Sequence, residues 1–169
     1  MKLIKIISVL LVALLAFSCS SNDDGVEIYK FNKDNLTGTY NITAFKSKKV
    51  KQAKVEGFDI TTTTVSTGDT FNMTANFDSN NVVTFNGSYR VLEVITQNDG
   101  RMENAYIIVR DNETSPYTVN TTTNELTIEG RKFKVNNFSA TGFKLNLEET
   151  TVEENGDTTV YTEEWVYKK

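Results

Sequence analysis

The feature that most restricts this chain is a period-two alternation of apolar and polar residues that recurs along most of its length. Phe71, Met73, Ala75 and Phe77 alternate with Asn72, Thr74 and Asn76. After Asp78-Ser79-Asn80-Asn81, which reads as a turn, Val83, Phe85, Gly87, Tyr89 and Val91 resume the pattern. Successive side chains of an extended strand point to opposite faces, so this spacing predicts strands with one apolar face. Gly87 interrupts its apolar row and predicts a bend, a bulge or the close approach of another backbone. Asn98-Asp99-Gly100 is a strong turn signal, and Asn155-Gly156 is the pair favoured by a tight two-residue hairpin. Ala105 to Val109 predicts a further strand, and Ser115-Pro116 reads as punctuation before Tyr117 and Val119. Leu126 and Ile128, then Phe133 and Val135, then Phe143, Leu145 and Leu147 follow the same period, with Gly130 and Gly142 between them. Tyr161, Trp165 and Tyr167 share one face of the last strand, with Glu163 among them.

No segment after the first twenty residues carries a sustained 3.6-residue apolar stripe. Short strands separated by turn signals point to an all-β domain, a barrel or a sandwich. About nine or ten strands fit the length by this spacing. Lys48 to Asp69 is the least readable stretch, either a long first hairpin or a flap.

The amino terminus follows other rules. Lys2 and Lys5 accompany an apolar run from Ile4 to Phe17. The run is shorter than the ~20 residues a spanning helix needs. A basic start, a short apolar stretch and small residues before a cut mark residues 1–18 as a signal peptide. Ala16-Phe17-Ser18-Cys19 resembles the bacterial lipobox, with Phe17 bulkier than is usual there. The resemblance implies cleavage before Cys19 and lipid transfer to its thiol. Several acyl chains hold firmly where one holds only marginally, at about 0.8 kcal/mol per buried methylene. Residues 19–33 then read as the lipidated cysteine and a flexible acidic tether, and residues 34–169 as the β-domain. Ser20-Ser21-Asn22-Asp23-Asp24 resembles the surface-export signal of Bacteroidetes lipoproteins. That implies a cell-envelope protein anchored to the outer membrane, on its outer surface if the signal operates; a plain solvated linker fits the same residues.

A second resemblance starts at Leu36-Thr37-Gly38-Thr39-Tyr40. It is similar to the opening strand of lipocalin-like lipoprotein domains, with Tyr40 in place of the usual tryptophan. Asn124-Glu125-Leu126-Thr127-Ile128 and Trp165-Val166-Tyr167-Lys168 resemble later strands of that family. It implies an antiparallel up-and-down barrel whose opening glycine and aromatic close the floor. Eight strands leave an interior just able to hold side chains or one small ligand. A β-sandwich is the alternative fold.

Charge and chemistry narrow the function. Without residues 1–18, Lys2 and Lys5 are lost, and sixteen basic side chains face twenty-two acidic ones, a net of −6. Such a domain is a poor partner for nucleic acid, whose binding depends on lysine and arginine. The cluster Lys46, Lys48, Lys49, Lys51 and Lys54 fits a solvated strand edge or a contact to an acidic head group or glycan. The chain has no histidine and a single cysteine. Histidine triads and histidine metal sites are therefore excluded, and lipidated Cys19 offers no thiol nucleophile. We expect no catalytic residues, no metal site, no cofactor and no enzyme activity. Asp157-Thr158-Thr159 resembles the O-glycosylation triplet of Bacteroidetes exported proteins, with Thr158 as acceptor.

The alternating aromatics Tyr40, Phe71, Phe85, Tyr89, Trp165 and Tyr167 either form the core or line a cavity for a ligand. Two functions are expected from this pattern. One is a lipid-anchored module that binds a small apolar molecule; the other is a non-catalytic surface domain that contacts a glycan or a partner outer-membrane protein. Lipidation has a direct test. Cys19→Ser is expected to leave the precursor without acyl chains by mass spectrometry, and acyl chains on that variant would contradict the assignment.

Overall fold

The computed structural model describes residues 29–169. Cys19 and most of the tether lie outside these residues. One short helix, α1 (Lys33–Leu36), precedes eight strands: β1 (Gly38–Val55), β2 (Phe58–Phe77), β3 (Val82–Gln97), β4 (Gly100–Asn120), β5 (Glu125–Ile128), β6 (Arg131–Ser139), β7 (Gly142–Val152) and β8 (Thr158–Lys168). Every strand pairs antiparallel with its chain neighbours, and β8 returns to pair with β1, closing an up-and-down barrel. The expected fold class is therefore observed. The strand number is eight rather than nine or ten, because β1 to β4 run for 16 to 21 residues each.

Several turns form where the residues require them. Asp78 accepts hydrogen bonds from the amides of Asn80 and Val82, both at 2.8 Å, and Asn81 adopts a φ of +66°. An Asx turn of this kind is what short polar side chains do between strands. Asn98 and Asp99 form the two-residue link closed by the Gln97–Gly100 pair. The Lys48–Asp69 stretch is the first hairpin, turning at Glu56-Gly57.

Two turn expectations need correction. Asn155-Gly156 is not a two-residue hairpin, since β7 ends at Val152 and β8 begins at Thr158. The wider loop forms because Asp157 is drawn inward. It is buried, its carbonyl accepts from Glu153 N–H at 2.8 Å, and its carboxylate lies 3.6 Å from Lys51 Nζ. Ser115-Pro116 does not punctuate either, because β4 runs straight through it. The tolerance has a physical reason: Pro116 sits where β4 still lacks a neighbour on one side, so its missing N–H breaks no ladder. The lysine cluster also departs from a strand edge. From Lys46 to Gln52, β1 is paired on both sides, with Lys51 near Glu153 and Asp157 and Lys54 near Asp59.

Strand bulges set the curvature. Register shifts occur between Asp69 and Asn72 on β2 and between Phe85 and Gly87 on β3. Thr70 and Asn112 take positive φ at two of these irregular points. Each bulge switches which alternate residues face inward, so Ser66 and Met73 are both buried on β2 although seven residues apart.

The end of the barrel beside α1 is packed solid. Leu36, Tyr40 and Phe77 are fully buried there. Tyr40 meets Phe77 and Phe143 edge-on at 5.9 and 5.0 Å, and Phe143 stacks on Tyr167 at 4.7 Å. The Tyr117 hydroxyl donates to the Asp78 carbonyl at 2.6 Å, which ties the floor to the β2–β3 turn. Packing begins ahead of α1, for Tyr29 stacks on Phe138 and Phe31 is buried. Asn32 caps the helix by accepting from the Asn35 amide at 2.8 Å.

Gly87 shows how tightly the wall is built. Its φ is +113°, and a Cβ there would sit 1.9 Å from the Asn72 carbonyl oxygen. Backbone strain and a collision with backbone atoms act together. Gly87→Ala is expected to lose at least about 2 kcal/mol in urea unfolding. A loss within about 0.5 kcal/mol of zero, the range of an ordinary surface substitution, would contradict the close approach.

Candidate ligand-binding cavity

The barrel wall is uneven. β4 pairs with β5 only from Tyr117 to Asn120, and β5 holds just four residues. Above that level β4 has no neighbour on its far side among the described residues. The turn between β5 and β6, at Glu129-Gly130, therefore forms a low point in the wall. A cavity of about 100 Å3 lies behind it, at mid-barrel.

Most of its wall is apolar. Ile42, Met73, Phe85 and Tyr89 line one side, and Ile128, Phe133, Leu145, Trp165 and Tyr167 line the other. The remaining lining residues are charged: Arg110, Glu113, Glu129, Arg131 and Glu163. The bulge at Asn112 explains how Arg110 and Glu113, three residues apart on one strand, reach the same side.

Glu163 is the centre of the polar part. Its side chain is 4% exposed. Arg131 Nη2 donates to it at 2.7 Å, and Tyr161 Oη and Trp165 Nε1 donate as well. Three donors meet the two carboxylate oxygens, which offsets the cost of burying the charge. The Arg131 guanidinium also lies 5.3 Å from the Phe133 ring centre and 5.7 Å from that of Tyr161. Burial above all, with the Glu163 hydrogen bond and charge added, pushes the Tyr161 phenol up to about 12. Burial likewise pushes Tyr89 up to about 12. Tyr161 thus keeps its proton and stays a donor to Glu163 far above neutral pH.

Of the other rim charges, two match each other and the third is met by a hydroxyl. Arg110 is paired with Glu113, and Ser115 donates to Glu129. No buried side-chain nitrogen or oxygen among the described residues lacks a hydrogen-bond partner. Both arginines of the rim are therefore held by carboxylates, while Glu129 is met only by the neutral Ser115 hydroxyl, so the five charged lining residues carry a net −1.

No protein-family model, curated protein or solved structure matches this chain. What the cavity does must be read from its own residues.

The six aromatics named from the sequence divide into three groups. Phe85, Tyr89, Trp165 and Tyr167 line the cavity. Phe71 does not line it but stacks behind Tyr89, with ring centres 5.2 Å apart and planes 5° from parallel. Tyr40 belongs to the packed floor. Thr158 opens β8, next to the buried Asp157 and remote from the cavity. Sequence reasoning passed over Arg110, Glu113, Glu129 and Arg131, and it gave Glu163 no role. One signal for Glu163 was present: it shares the period-two face of Tyr161, Trp165 and Tyr167. For Arg131 no local signal exists, because its partner lies 32 residues away.

The pair makes a sharp energetic prediction. Arg131→Met leaves a buried carboxylate without its cation and is expected to cost about 2–4 kcal/mol at pH 7. The double variant Arg131→Met/Glu163→Met removes the stranded charge and is expected to be more stable than the single one. Urea unfolding of both decides it; losses that simply add would contradict the coupling.

Proposed function

We propose that this chain is a lipid-anchored cell-envelope protein whose barrel takes a small, neutral, apolar group into the mid-barrel cavity. The observation that carries this reading is the combination of apolar walls with a rim whose two arginines are already held by Glu113 and Glu163. Such a site favours uncharged ligand surface over an anion, since a carboxylate or phosphate would lose its hydration and find no free cation in the lining. Size narrows the class further. The cavity, about 100 Å3, is smaller than the ~150 Å3 that holds benzene in an engineered core, and well below the ~300 Å3 at which drug-sized pockets begin. It suits the end of an acyl chain or part of a ring, with the rest of a larger ligand leaving over the low β5–β6 wall.

The anchoring half of the proposal rests on the apolar run and Cys19, with the outer membrane as the site inferred from the acidic tether. The lipocalin-like character rests on Leu36-Thr37-Gly38-Thr39-Tyr40 and on the shared up-and-down order. A second reading, a non-catalytic surface domain that contacts a partner or glycan, is favoured by one observation: Ile107 and Val109 are 67% and 69% exposed on the outer wall.

The single tryptophan of the chain, Trp165, lines the cavity and reports on it. Toluene and short alkanes are expected to change its fluorescence saturably. Ile128→Phe, which fills the cavity, is expected to weaken the response at least tenfold. Native mass spectrometry of the full-length chain is expected to find a bound apolar molecule. A non-saturable response that is the same in wild type and Ile128→Phe would contradict the proposal.

A further inference from the structure

The wall that is missing above β5 leaves more than a cavity mouth. From Gly100 to Ser115, β4 is laddered to β3 on one side and to nothing on the other among the described residues. A strand edge of this length exposes a row of unpaired backbone groups and is ordinarily blunted by lysine, by proline or by a covering element. From Gly100 to Arg110, ahead of the bulge at Asn112, this one carries none of the three. β4 contains no lysine, and its one proline, Pro116, lies just where β5 begins to cover it. Its side chains add apolar surface: Ile107 and Val109 on the outer face, Met102 and Tyr106 on the inner, all of them exposed. On the outer face Leu92, also exposed, stands on β3 beside them.

We infer that this edge pairs with the same edge of a second copy of the chain, β4 against β4, antiparallel about a two-fold axis at Tyr106. The charge pattern selects this occupant and this register. Antiparallel pairing about Tyr106 sets Arg101 opposite Asp111 twice, once on each side of the axis. Ala105 falls opposite Ile107, Glu103 opposite Val109, and Tyr106 opposite its own copy. Between Gly100 and Asn112 no like charges are directly opposed. Moving the axis to Ile107 sets Glu103 opposite Asp111, which repel. Within one chain Arg101 holds Glu103 at 2.7 Å, whereas the Asp111 carboxylate accepts only from the neighbouring Asn112 amide and has no cation within ion-pair distance among the described residues. The strand thus carries its own complement, which an unrelated strand would have to supply. Pairing by shared ladders with alternate side-chain contacts is an established mode of strand recognition. An interface that maps onto itself is also what a two-fold dimer requires. The seam runs beside Arg110 and Glu113 at the cavity mouth but does not depend on what the cavity holds.

Cysteine cross-linking of the full-length chain in cells tests the inference. Opposed residues of an antiparallel pair have Cα atoms about 4.5–5.5 Å apart, within the ~4.4–6.8 Å span of a disulfide. Tyr106→Cys is therefore expected to give a disulfide-linked band of twice the chain mass under mild oxidation. The wild-type chain and Asn80→Cys, exposed at the opposite end of the barrel, are expected to give at least tenfold less. Adding Arg101→Asp to Tyr106→Cys is expected to remove the band, and adding Asp111→Arg as well to restore it. All these positions are exposed, so folding is preserved, and far-UV circular dichroism checks this. Cross-linking no stronger than with Asn80→Cys would overturn the inference. A band that persists in Arg101→Asp, or fails to return in the charge-swapped variant, would overturn the register and with it the self-pairing.

Discussion

Closure of the sheet, β8 against β1, is the constraint on which the rest of the molecule depends. From Lys46 to Gln52, β1 holds a partner on each side, so the strand richest in lysine is locked inside the wall and is no edge. Closure also decides what is inside. It brings Trp165 from the last strand against Phe45 of the first, with ring centres 4.3 Å apart.

The ring is closed, but it is not of even height. β1 to β4 are long and β5 is a single short rung, so the barrel is sealed at the floor by Leu36, Tyr40 and Phe77 and is lowest on the β5 side. One asymmetry therefore generates both features that bear on function. Inside the wall it leaves the small cavity, apolar below and rimmed by two ion pairs and Glu129. Along the wall it leaves the edge of β4 without a neighbour. A barrel with eight equal strands would have neither.

Much of the fold was legible because the alternation is strong where strands are buried on one face and solvated on the other. Phe71 to Phe77 and Val83 to Val91 are clear for that reason. Legibility fails where the alternation changes phase. Between Asp69 and Asn72 the bulge at Thr70 reverses which residues face inward, so a reading that assumes one continuous phase loses the first hairpin. Asn155-Gly156 misled for another reason: the loop is widened by the buried Asp157, whose partner Lys51 lies far away in the chain. Of the site, the aromatic wall was visible as residues of one face, but not which of them would plug the floor. Tyr40 and Tyr167 look alike in sequence, and only the register separates plug from lining. The ion pair at its centre joins β6 to β8 and has no local signature.

Residue-resolved amide hydrogen exchange on β1 tests the closed ring most directly. In a strand with partners on both sides, alternate amides point to alternate neighbours and all are hydrogen-bonded. Closure therefore predicts slow exchange at every amide of the continuously paired stretch from Lys46 to Gln52. Fast and slow exchange in strict alternation there would mean that β8 does not return to β1. The barrel, its cavity and its unequal wall would then have to be abandoned together.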